Sequence, residues 1–149
     1  MITRKINMKA IGLLFVAICI HFISYSQYCI PSADCSSDDY IDNFTFHTIS
    51  NLNSGGSNCN NDSYINTGIT ASVYTNTSYS LSAEGGNQSF AQGYGIWIDY
   101  NQDNDFDDAD EFISQSTNSS AAIYTDVITI PLTANLGTTR MRVRSAAFN

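Results

Sequence analysis

Between Asp99 and Glu111 the chain reads DYNQDNDFDDADE, seven carboxylates in thirteen positions, directly after the apolar run YGIWI. Like charges at this density either splay into water or converge on a cation. Numbered from Asp99, side-chain oxygens recur at alternate positions: Asp99 first, Asn101 third, Asp103 fifth, Asp105 seventh and Asp107 ninth. Asp110 stands twelfth and Glu111 follows it. The calcium-loop pattern takes side-chain oxygens at one, three and five, a backbone carbonyl at seven and a carboxylate near twelve. Calcium accepts six to eight hard oxygens, whereas the smaller magnesium ion suits fewer protein ligands. A structural Ca2+ is therefore the expected cofactor. Its expected ligands are Asp99, Asn101, Asp103, Asp105 and a distal carboxylate from Asp110 or Glu111.

Two features depart from that pattern. The sixth position is Asn104 where the pattern has glycine. The turn needs a positive φ, and asparagine is among the residues that most readily adopt one. No helical periodicity flanks the loop, so a loop grafted between strands is expected in place of a paired helix–loop–helix. Two carboxylates about 4–7 Å apart repel by roughly 2–4 kcal/mol at an effective dielectric near 20. Three converged acids without a counter-ion would consume a large part of a domain's ~5–15 kcal/mol of stability. A charge run more often simply solvates; the regular alternation with Asn101 inside it favours an ion.

Other chemistry is thinly supported. A carboxylate pair can cleave glycosides, but the general acid needs a raised pKa in a dry setting, and a wet acidic loop does not supply one. His47 is the only histidine beyond the N-terminal segment, and no G-x-S-x-G turn occurs. The chain is not expected to be an enzyme. Cys29, Cys35 and Cys59 lack zinc-finger spacing; in an oxidising compartment they are disulfide candidates, with one of the three left over.

The elements that would position the loop read as β. After Gln27 the chain is rich in Ser, Thr, Asn, Tyr, Ile and Val, with no Lys-, Glu- or Ala-rich amphipathic run. Strands are expected at Tyr40–Ile49, in YSLSA (Tyr79–Ala83), in YGIWIDY (Tyr94–Tyr100), at Ala122–Leu132 and in TTRMRVR (Thr138–Arg144). In YGIWIDY, Tyr94, Ile96, Ile98 and Tyr100 share one face, with Trp97 and Asp99 on the other, which suits a central strand. In TTRMRVR, Met141 and Val143 alternate with Arg140, Arg142 and Arg144. Those arginines either solvate a sheet face or turn toward the acidic loop. Short strands at even spacing predict an all-β fold, an antiparallel β-sandwich of jelly-roll or Ig-like kind.

Residues 1–26 have the layout of a secretory signal: Arg4, Lys5 and Lys9, then an apolar stretch over Ala10–Ile23, then small residues up to Ser26. Fourteen residues fall short of the ~20 that a spanning helix needs. The exported domain is expected over 27–149, secreted or at the cell surface. It keeps three arginines against fourteen carboxylates, a balance of −11. Such a chain has no basic footprint for nucleic acid or anionic membrane, and membrane insertion is not expected.

Taken together, YCIPSADCSSDDYIDNFTF, GYGIWIDYNQDNDFDDADEF and GTTRMRVR resemble the GEVED domain of secreted Bacteroidetes proteins. In that family an opening Tyr-Cys-x-Pro, an acidic Trp-Ile-Asp core and an Arg-Met-Arg-Val-Arg strand recur in this order. The resemblance runs from about Tyr28 to Arg144. It implies a β-sandwich module appended to larger secreted or surface proteins, with no reaction of its own established. It also implies that the domain is incomplete at its C-terminus, before the Gly-Glu-Val-Glu-Asp stretch, and that one cysteine awaits a partner there. The expected function is a non-catalytic, calcium-stabilised extracellular module for adhesion or binding. The alternative is a carbohydrate-binding module attached to a hydrolase or peptidase. Its partner is then an extracellular protein or glycan, alongside the other domains of the same protein.

Overall fold

The computed structural model describes residues 27–32, 40–55, 64–86, 92–116 and 123–147. The expected export signal, Cys35 and Cys59 lie outside them. Seven strands follow one another: β1 (Ile41–Phe46), β2 (Ile49–Asn51), β3 (Ser78–Gly85), β4 (Gln92–Ile98), β5 (Phe112–Gln115), β6 (Ile123–Thr129) and β7 (Met141–Ala147). Among the described residues there is no helix.

The strands form two sheets, one ordered β2-β1-β3-β6 and the other β5-β4-β7, and every pairing is antiparallel. Alternation in the sequence decides which side chains meet. In β3, Tyr79, Leu81 and Ala83 are buried between serines. In β4, Tyr94, Ile96 and Ile98 are buried, and the strand is central to its sheet as its pattern predicts. Phe44 and Phe46 from β1 and Ile128 from β6 join them in one core, with Tyr100 and Ile130 just beyond strand ends. Met141 and Val143 of β7 pack against it from the second sheet. The two sheets therefore share a single apolar interior, a β-sandwich. Burying each such aliphatic or aromatic side chain is worth about 1.5–3 kcal/mol.

One expected strand divides in two, and one strand stands where the sequence predicts none. Tyr40–Ile49 does not run through: β1 ends at Phe46, His47 takes a positive φ of 50°, and the chain reverses so that Phe46 faces Ile49 of β2. A histidine in the left-handed region carries little sequence signal, and its ring packs on Tyr79 at 4.7 Å. β5, read in the sequence only as the exit from the acidic loop, pairs with β4 through a register shift between Ile96 and Trp97.

A polar strut joins the sheets at their β5 and β6 edges. Ser114 Oγ lies 2.5 Å from Asp126 Oδ2 and 2.6 Å from the Tyr124 hydroxyl, which itself donates to Asp126 at 3.0 Å. The Ser114 hydrogen bond holds the Asp126 carboxyl below its ordinary pKa. The Tyr124 ring stacks on Tyr94 of β4 at 6.1 Å.

Candidate metal centre

The acidic loop leaves β4 and returns to β5, so its two ends are hydrogen-bonded neighbours. Ile98 N–H donates to the Glu111 carbonyl at 3.0 Å. Asp99, expected to point away from the core, is fully buried once β4 ends, and Glu111 is 1 % exposed. One carboxylate oxygen each from Asp99, Asp103 and Glu111 lies within 4.8 Å of the others.

The loop backbone is shaped by its own side chains. Asn101 Oδ1 accepts from Asp103 N at 2.9 Å, Asp103 Oδ1 from Asp105 N at 3.2 Å, and Asp105 Oδ1 from Asp107 N at 2.9 Å. Each is a side chain bonding the backbone two residues on, the Asx turn that these residue types favour. This explains the alternation as local geometry as well as ligand spacing. Asp99 holds the first turn by accepting from Gln102 N at 2.6 Å and Asn104 N at 3.1 Å. Asn104 has a φ of 73°, the left-handed conformation expected at the sixth position, and Gln102 has one of 63°. The Asn101 amide donates to Asp103 Oδ2 at 3.0 Å and to Asp108 Oδ2 at 2.5 Å.

Glu111 is the informative member. Its Oε1 accepts from Tyr100 N at 3.1 Å, while Oε2 is buried with no hydrogen-bond partner within reach among the described residues, though the Asn101 backbone N–H lies near enough to the carboxylate to favour its charged form. A buried carboxylate oxygen without a donor costs free energy that a positive ion at the same place would recover. Contrary to the expectation that this loop is too wet to raise a carboxyl, burial, and then the negative charge of Asp99, push Glu111 up to about 7. Three clustered carboxylates, one with an orphaned buried oxygen, fit a divalent cation held by hard oxygen donors. Asp99, Asp103 and Glu111 would hold it and, with the ion bound, lose their mutual repulsion.

Of the other expected ligands, Asn101 braces the loop between Asp103 and Asp108. Asp105 is partly buried and Asp110 exposed, and neither belongs to the three-carboxylate group. The negative charge of Asp110, after burial, raises the Tyr100 phenol to about 12. The distal position that the sequence leaves between Asp110 and Glu111 is thus filled in this group by Glu111.

Several supporting residues were not legible beforehand. Tyr28 donates its hydroxyl to Asp99 Oδ2 and packs on Phe106, the buried residue inside the loop, at 5.1 Å. Burial, followed by the hydrogen bond to Asp99, raises its phenol to about 12. Arg140 lies over the Tyr28 ring at 4.3 Å and Arg142 over the Phe106 ring at 4.2 Å. Arg142 also donates to the Cys29 carbonyl at 2.8 Å. Cys29 is exposed and has no disulfide partner among the described residues. Two of the three arginines therefore turn toward the loop through its aromatic neighbours. Thr139 donates to the Asp99 carbonyl, and Asn135 clamps the far side: its N–H reaches Tyr100 O at 2.8 Å and its amide reaches Asn101 O at 2.5 Å. Gly137, at φ 135°, lets that segment pass close to Gln102. The Tyr-Cys opening and the interruption of the acidic run by Phe106 are the signals in the sequence; neither says which ring meets which.

Comparison with curated proteins gave no match, and comparison with solved structures gave none. The family model of the GEVED domain matches residues 93–149, the part of the chain that carries the acidic loop and the arginine strand.

Proposed function

We propose that this chain is a non-catalytic extracellular module, stabilised by calcium and serving adhesion or binding within a larger secreted or surface-displayed protein. The observation that carries the calcium reading is the orphaned Oε2 of Glu111, 1 % exposed and grouped with Asp99 and Asp103. In this reading the ion has no substrate to activate. It closes a long loop between two paired strands and fixes the end of the sandwich. The expected export signal and the acidic balance of the remainder support a place outside the cell, where calcium is plentiful.

Affinity for calcium is expected around 10⁻⁴–10⁻³ M, typical of extracellular modules. At 10 mM calcium, roughly ten to a hundred times such a Kd, binding to the native state alone adds about 1–3 kcal/mol. The melting temperature should then rise by several degrees and return when chelator is added. Asp103→Asn, at an exposed position, should remove most of that rise without loss of the β signature in circular dichroism. Asp99→Ala with Asp103→Ala should remove it entirely. A calcium response that both variants retain would place the ion elsewhere.

A further inference from the structure

The outer face of the β5-β4-β7 sheet concentrates a different chemistry. Residues directly opposed across an antiparallel pair point to the same side. The register therefore sets Gln115, Gly95 and Arg144 in one row, and Phe112, Trp97 and Arg142 in the next. Ile96 and Val143, between those rows, face the core. The Trp97 and Phe112 rings stack at 4.6 Å and 27°, and Phe112 is 43 % exposed. A Cβ at Gly95 would lie 2.6 Å from the far edge of the indole, so only glycine lets Trp97 lean along the sheet. Gly93, two residues earlier on the same side, extends this bare floor. Arg140 and Arg142 set their guanidinium groups on Tyr28 and Phe106, while Arg144 is exposed.

We propose that this platform binds an acidic saccharide. A sugar ring lays its apolar C–H face on the Trp97–Phe112 stack, its carboxylate or sulfate pairs with Arg144, and a hydroxyl reaches the Gln115 amide. Aromatic faces flanked by a few polar groups suit ligands that are flat and apolar on one side and polar at the rim. Charge selects the acidic class. Every cationic side chain beyond the expected export signal lies at positions 140–144, and of these Arg144 is the one not set on an aromatic ring of the loop region. A peptide strand fits less well, because β4, which carries Trp97, is hydrogen-bonded on both sides, so an added strand would pair at the β5 or β7 edge and not over the stack.

The inference rests on the binding-module reading above and adds its ligand. It also gives the cation a role. Trp97 precedes Asp99 by two residues and Phe112 directly follows Glu111. An ion joining those carboxylates ties together the strand ends that carry the stack, so saccharide affinity should fall when calcium is removed.

Trp97 is the only tryptophan of the chain, so indole emission reads the platform directly. The full chain, with millimolar calcium, would be titrated with an oligogalacturonate, a sulfated oligosaccharide, a neutral gluco-oligosaccharide and a poly-glutamate peptide, with calorimetry alongside. A saturable emission change is expected with an acidic sugar. Arg144→Gln, at an exposed position, should weaken it about tenfold, the order of one charge-assisted contact. Phe112→Ser should weaken it comparably, and chelator should weaken it in the native protein. Binding that survives both substitutions unchanged would overturn the proposal. So would binding of the neutral sugar or the peptide alone, or no binding of any probe. If the calcium-dependent melting shift persists in those cases, only the saccharide assignment fails; if it is absent too, the module reading falls with it.

Discussion

At the scale of single residues, Glu111 carries the largest consequence. Its carboxyl is raised in the folded protein to about 7 from an ordinary 4.5. Between those values the folded chain, without a cation, binds more protons than the unfolded one, so stability falls as pH rises through that window. Fully developed, a shift of this size corresponds to about 3 kcal/mol. A calcium ion held as proposed would reverse the sign of the dependence, because the ion needs the ionised carboxylate and displaces its proton. Glu111→Gln separates the two effects. In chelator at pH 7.5 the variant should melt higher than the native protein, since a neutral amide replaces a charge buried beside Asp99. In calcium it should gain nothing. Paired thermal melts from pH 5 to 8, with and without calcium, check both halves; a variant less stable than the native protein in chelator would mean that Glu111 is not under charge strain.

At the scale of elements, the loop and the strut make separate demands. Asn104 holds a φ of 73° without being glycine. Asn104→Gly should stabilise the calcium-bound form by a few tenths of a kcal/mol, up to about 1. Asn104→Ala should destabilise it by about 1 kcal/mol, and urea titration in saturating calcium resolves the order. The Ser114–Asp126–Tyr124 strut lies away from the loop. Asp126 is held below its ordinary pKa, so its contribution is present at neutral pH and is lost as pH falls through the acid range. Ser114→Ala should cost about 1–3 kcal/mol at pH 7, less at low pH, and leave the calcium shift unchanged. These elements also show what the sequence makes legible. Period-two alternation places β3, β4 and β7 and most of the core, because burial on one face of a strand imposes it directly. The β1–β2 reversal at His47 and the short β5 leave no such trace; the first depends on a turn conformation and the second on pairing with β4 through a register shift across the acidic loop. Likewise the acidic register picks out Asp99 and Asp103 and leaves the distal carboxylate open between Asp110 and Glu111. Glu111 comes to lie beside Asp99 because the chain pairs with the end of β4 as it returns into β5, a contact that no spacing in the sequence announces.

At the scale of the whole molecule, the distribution of charge matters more than its sum. The chain carries a formal charge of −8, and seven of its fourteen acidic groups sit in one loop. Some of those groups are exposed, among them Asp107, Asp108 and Asp110, while Asp99 and Glu111 are buried. Salt distinguishes the two sets. At 1 M monovalent salt the Debye length is about 3 Å, which suppresses repulsion between exposed carboxylates and leaves buried pairs much less affected. In the proposed reading, calcium acts on the buried group directly. With chelator present, raising sodium chloride from 0.05 to 1 M should therefore recover only part of the melting-temperature rise that millimolar calcium gives, and Glu111→Gln should recover most of the remainder. If salt alone matched calcium, the loop would be responding to general screening, and the convergence of Asp99, Asp103 and Glu111 would have no ion-specific meaning. If salt did nothing, the exposed acids would be energetically silent, and the whole cation response would reside in the two carboxylates that the sandwich encloses.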